Sequence, residues 1–161
     1  MPATATTFRQ TRPPGGFTLV ELVVVAAIVA VTAAIAVPRY TNSLCRYRAD
    51  LAARRIAADL VMARNHAKVQ GAAQTVLFTL ANDSYTLPGV AGLDRPTDPY
   101  TVVFSAEPYK ADLISASFGG SPNVSFNGYG VPAAGGSVVV QGGSVQKTVL
   151  LDAGTGEAKV Q

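Results

Sequence analysis

Between Phe17 and Val37 the chain reads FTLVELVVVAAIVAVTAAIAV, and Thr18, Glu21 and Thr32 are its only polar side chains. At ~1.5 Å per residue these positions make a helix about 31 Å long, the hydrocarbon thickness of a bilayer. A helix apolar on every side has to be covered by lipid or by other protein. Ahead of it, residues 1–16 carry Arg9, Arg12, Pro13, Pro14 and no acid, and the positive-inside preference places this leader in the cytoplasm and the bulk of the chain outside. The rest of the composition narrows the function by exclusion. With 161 residues there is room for one modest domain. Charged residues are 14% of the chain, against roughly 25% in a soluble domain. A single cysteine, Cys45, and a single histidine, His66, exclude an intrachain disulfide and metal sites built from several of either. The net charge of +3 is too small to imply a polyanionic partner by itself.

A secretory signal peptide cut near Ala34-Ile35-Ala36 or a plain signal anchor would also account for a basic start and an apolar stretch. Neither accounts for Glu21, because a carboxylate in a membrane helix costs about 2.5 to 3.5 kcal/mol on insertion scales. Gly16-Phe17-Thr18-Leu19-Val20-Glu21, the uninterrupted apolar run and Pro38 at its end together resemble the class III signal of type IV prepilins and type II secretion pseudopilins. That resemblance implies cleavage by prepilin peptidase between Gly16 and Phe17 and methylation of the new amino terminus. It also implies that Glu21 pairs with the free amine of a neighbouring subunit, which couples assembly to register. Gly16 can alternatively be read as a flexible linker residue. Pro38 lacks an N–H and is read either as a kink where the helix leaves the membrane or as its terminator.

From Thr41 to Gln70 the chain is rich in Ala, Leu and Arg without Gly or Pro, which favours helix, and Gly71 is a natural stop. Ala52, Ile56, Leu60, Ala63 and Ala67 recur at spacings of three and four and define one face, with Arg54, Arg64 and Lys68 roughly opposite. Leu44, Tyr47 and Leu51 point elsewhere, as expected if the start of this helix packs on sister subunits. Residues 39–68 carry seven basic and two acidic side chains, and residues 69–161 carry four basic and seven acidic ones. A basic helix can bind phosphate on lipid or DNA through Arg54, Arg64 and Lys68, but a solvated face or a subunit interface fits the same pattern. His66 reads as a surface or partly packed residue and Cys45 as a small packing residue near the membrane. Leu60 to Ala67, Gly71 and then Thr75-Val76-Leu77-Phe78 resemble a second hallmark, that of the GspH/FimT-type minor pseudopilins.

Past Gly71 the period turns alternating. Candidate strands are 74–80, 84–87, 100–105, 113–118, 123–127, 137–141, 145–151 and 157–160, separated by turn residues such as Asn82-Asp83, Pro88-Gly89 and Gly119-Gly120. The Gly142-Gly143 pair signals a hairpin. Residues 121–160 also resemble the C-terminal region of the GspH/FimT group. The fold class expected is α+β: a long N-terminal helix, transmembrane half plus amphipathic half, packed on a C-terminal antiparallel β-sheet domain of two sheets. The expected organisation is a leader at 1–16, a transmembrane assembly helix at 17–38, a connecting helix at 39–70 and a β-rich domain at 71–161.

No catalytic constellation is evident, since one histidine has no second imidazole, and Ser105 and Ser117 lack a local base. Asn127-Gly128-Tyr129-Gly130 is a turn without the strand-to-helix context of a phosphate loop. Asp83, Asp94 and Asp98 lack EF-hand spacing and read as ordinary loop acids rather than a calcium site. Tyr85, Tyr100 and Tyr109, taken as exposed, read as sheet packing. The expectation is therefore a subunit without enzymatic activity, cofactor or metal. Its resemblance implies prepilin peptidase, other pseudopilins or pilins and inner membrane lipid as partners, with the C-terminal domain in the periplasm. The rival reading is a FimT-like minor pilin that captures DNA, although the tail LLDAGTGEAKVQ sets Lys159 among Asp152 and Glu157. A membrane-anchored hydrolase is a third reading, without a base to support it.

Overall fold

The computed structural model describes residues 16–92 and 95–161. The expected leader, apart from Gly16, lies outside the described residues, and so does Asp94. The chain forms two compact units, Met1–Pro38 and Arg39–Gln161. One helix, α1 (Leu19–Gln70), contributes residues to both, with Pro38 inside it. The terminator reading of Pro38 is therefore corrected: the helix continues past it.

In the first unit every described residue is exposed. The hydroxyl of Thr32 is satisfied within the helix, donating to the carbonyls of Ile28 at 3.0 Å and Val29 at 2.9 Å. This is how a threonine is tolerated among apolar side chains.

In the second unit, α1 buries Ala49, Ala52, Ala53, Ile56, Asp59, Leu60, Ala63 and Ala67, which includes all five residues of the expected apolar face. Tyr47 is exposed, and Leu44 and Leu51 are half-buried. Gly71 ends the helix at φ +60. Its N–H reaches the Lys68 carbonyl at 3.4 Å and that of Ala72 reaches Ala67 at 3.2 Å, so the terminal carbonyls are satisfied in a Schellman arrangement that a side chain at position 71 would strain.

Eight strands follow: β1 (Gln74–Thr79), β2 (Ser84–Ala91), β3 (Pro99–Val103), β4 (Asp112–Phe118), β5 (Val124–Phe126), β6 (Gly136–Gly142), β7 (Val145–Leu151) and β8 (Ala158–Val160). They form two antiparallel four-stranded sheets, ordered β3-β2-β1-β5 and β4-β6-β7-β8. The expected α+β architecture with two sheets is what the chain adopts. Pro88-Gly89, read as a turn, lies inside β2, where the register against β3 shifts between Leu87 and Ala91. The Gly-Gly hairpin is present, with Gly142 pairing Val145 and Gly143 at positive φ in the two-residue turn. Alternate residues of each strand point inward, among them Val76, Phe78, Tyr85, Leu87, Val138 and Val140, and join the helix residues in one core. Phe78 of β1 stacks on Phe118 of β4 with ring centroids 5.7 Å apart and fastens one sheet to the other.

Candidate functional site

The amino-terminal segment presents the expected processing and assembly residues in open space. An ideal Cβ on Gly16 would meet nothing within 4 Å, and Phe17 is 85% exposed. Thr18 caps α1: its Oγ1 accepts the N–H of Glu21 at 3.2 Å, and its carbonyl accepts the N–H of Leu22 at 3.1 Å. The Thr-x-x-Glu spacing is that of a capping box, which sets Glu21 in the first helical turn, where the partial positive charge of the helix end favours a carboxylate. Among the described residues Glu21 makes no ion pair. Pro38 stands 17 positions further along the sequence, so it takes no part in this first turn.

The second unit holds a polar cluster that sequence reasoning missed. Asp59, 6% exposed, lies on the apolar helix face. Its Oδ2 accepts hydrogen bonds from the hydroxyls of Tyr85 and, at 2.7 Å, Tyr100, and from Nε of Arg55 at 3.1 Å. The Arg55 guanidinium also donates to the Tyr100 hydroxyl and lies over its ring, 5.8 Å from the centroid. Tyr85 and Tyr100 are therefore buried, not exposed as expected, and they join β2 and β3 to the helix. The signal was in the spacing: Asp59 is three residues after Ile56 and four before Ala63, inside the apolar stripe.

Burial, and after it the neighbouring Asp59 carboxylate, pushes the Tyr100 phenol up to about 12 and holds that of Tyr85 far above the ordinary value of 10.0. Below about pH 9 both phenols are protonated whether the chain is folded or not, and their contribution to stability is complete. Above that, the unfolded chain ionises first, so stability falls with pH by as much as ~1.4 kcal/mol per unit for each tyrosine. Urea unfolding between about pH 8 and 11 is expected to show this decline, and a Tyr85→Phe, Tyr100→Phe chain to show a shallower one. An equal slope in both chains would count against the cluster as its cause.

Arg54, Arg64 and Lys68, expected to lie together opposite the apolar face, are not one surface. Arg54 is exposed and pairs with Asp50 at 2.7 Å. Arg64 is half-buried with its Nε shielded. Its stem and that of Lys68 run so close to Gly130 that a Cβ there would collide with both. His66 is half-buried and Cys45 packs against Gly143, as expected of packing residues. Among the described residues no group of His, Cys, Asp or Glu side chains is arranged to hold a metal.

A capped helix whose apolar first part is exposed on every side, which begins behind Gly-Phe-x-x-x-Glu and whose second part packs on antiparallel sheets, is the build of a pilin-like subunit, and among the described residues it is the one helix long and apolar enough to cross a membrane. Residues 12–37 match the prokaryotic N-terminal methylation motif. Residues 52–155 match the family described as type II transport protein GspH, and the chain belongs to that family. No curated protein and no solved structure shows a significant match.

Proposed function

We propose that the protein is a minor pseudopilin of the type II secretion system, a noncatalytic subunit that joins the pseudopilus near its tip and serves protein export. The observation that carries this reading is the presence on one chain of both matches, the methylation motif over 12–37 and GspH over 52–155. In this reading prepilin peptidase cuts between Gly16 and Phe17. The apolar part of α1 rests in the inner membrane and the β-rich unit in the periplasm, until the subunit packs helix to helix with other pseudopilins. Glu21 sets the register by pairing with the methylated amine of a neighbour, an ion pair in which each charge compensates the other in an apolar setting. Pro38, which offers no N–H to the helix ladder, is the point at which α1 loosens. The four domain segments keep the bounds 1–16, 17–38, 39–70 and 71–161. The flanking charge does not bear out the orientation expected from the positive-inside preference, because five arginines (Arg39, Arg46, Arg48, Arg54 and Arg55) follow the span and two precede it, so in this reading the orientation rests on the prepilin signal instead.

The test is the intact mass and N-terminal sequence of the chain from membranes of its own cells. A product beginning at N-methylated Phe17 is expected. A start at Val37 would mean an ordinary signal peptide and end this reading. DNA capture through the tail is the weaker alternative, since Lys159 is paired with Glu157 at 3.3 Å.

A further inference from the structure

Near the end of α1 that leads into Gly71, Arg64 and Lys68 stand four residues apart and so share one side of the helix. Two loops close over their stems, and each does so with a glycine. A Cβ on Gly130 would sit 3.1 Å from Cγ of Arg64 and collide with the Lys68 chain. One on Gly156 would come 3.0 Å from the Gly130 carbonyl oxygen and 3.4 Å from Cδ of Arg64. Both glycines hold positive φ, +76 and +65, so a side chain at either position would be strained in its backbone as well as crowded.

This threading places the Arg64 guanidinium without giving it a partner. Its Nε is shut away from solvent with no acceptor, and among the described residues neither Arg64 nor Lys68 forms an ion pair. The acids on the turn that carries Gly156 are engaged elsewhere. Oδ1 of Asp152 accepts the N–H groups of Gly154 at 3.0 Å and Thr155 at 2.7 Å, and Glu157 pairs with Lys159 at 3.3 Å. A cation partly withdrawn from water and left unpaired is destabilising. An anion on its terminal nitrogens offsets this, best through the two parallel hydrogen bonds that a carboxylate accepts.

On either side of Gly130, Tyr129 is 86% exposed and Val131 41%. Their turn is closed by the Asn127 N–H on the Val131 carbonyl at 2.9 Å, and Oδ1 of Asn127 accepts the N–H groups of Tyr129 and Val131 at 3.0 Å each. Both side chains are thus held in place before anything docks. Arginine beside an exposed tyrosine is the composition of the few residues that carry protein–protein affinity, while Asp152 and Glu157 on the adjoining turn oppose a polyphosphate.

We propose that Arg64, Lys68 and Tyr129 form a receptor for a glutamate or aspartate of a protein partner, with the carboxylate on the two cations and its apolar neighbours on the Tyr129 ring. Every residue of this receptor lies within the unit Arg39–Gln161. The test uses the full chain in detergent micelles and follows the NMR signals of its arginine Nε–H groups. The probes are acetate, inorganic phosphate and the capped peptide acetyl-Leu-Glu-Leu-amide, each exchanged against chloride at constant ionic strength.

The peptide is expected to shift the Arg64 signal saturably, half-way by about 1 mM, and acetate to need about ten-fold more. The Arg54 signal is expected to hold still, because that group already pairs with Asp50. Lys68→Gln is expected to weaken peptide and acetate alike by about five-fold, with Lys68→Arg restoring both. Tyr129→Ala is expected to remove the advantage of the peptide over acetate. The Arg55 signal, set by its bond to Asp59, reports in each variant that the β-rich unit is folded. The proposal is overturned if the peptide leaves Arg64 unmoved, if Arg54 and Arg64 shift together, or if phosphate binds more tightly than the peptide, which would mark a seat for phosphate instead.

Discussion

A chain with Gly16→Leu is expected to accumulate in the membrane at its full precursor mass, and the natural chain to be trimmed to begin at Phe17. The effect is expected to be close to all-or-none, because a residue without a Cβ lets a protease bring its own backbone against the scissile bond, and a branched side chain does not. Folding is not the cause, since a Cβ at position 16 meets nothing within 4 Å and α1 begins three residues later at Leu19. Intact mass of membrane-extracted chains, with Gly16→Ala as the intermediate step, reads the outcome. Normal trimming of the leucine variant would remove Gly16 from the processing site.

Asp59→Ala is expected to cost about 3 kcal/mol or more of stability. It takes the acceptor from two phenols buried in the core and leaves Arg55 without its carboxylate. The ion pair is the smaller part of this, because the Arg55 side chain is 36% exposed and solvent screens it. The larger part is the unsatisfied hydroxyl of Tyr85, which is 1% exposed. Asp59→Asn, of nearly the same shape and still an acceptor, is expected to lose less. The urea midpoint at neutral pH measures both, and a loss under about 1 kcal/mol for alanine would contradict the role assigned to the cluster.

Local features of this fold are legible in the sequence because they are set by near neighbours. Gly71 ends the helix where its φ of +60 makes glycine the favoured residue, and the alternation after it places all eight strands within a few residues. Pro88-Gly89 misleads because a proline and a glycine also fit a bulged strand, and only pairing with β3 distinguishes the two. Asp59 is illegible for a related reason. A carboxylate counts as polar in any helical pattern, and what neutralises the cost of burying it comes from Tyr85 and Tyr100, 26 and 41 residues away. In the amino-terminal segment the opposite holds: Gly16, Phe17 and Glu21 are singled out by a resemblance that the sequence alone carries, and the fold adds the Thr18 cap.

The helix face that α1 turns to the sheets is made largely of alanine: Ala49, Ala52, Ala53, Ala63 and Ala67. Such a face is smooth, and along its own axis it offers little to resist sliding. Asp59, tied to two strands at once through Tyr85 and Tyr100, is the bolt that fixes the helix lengthwise against β2 and β3.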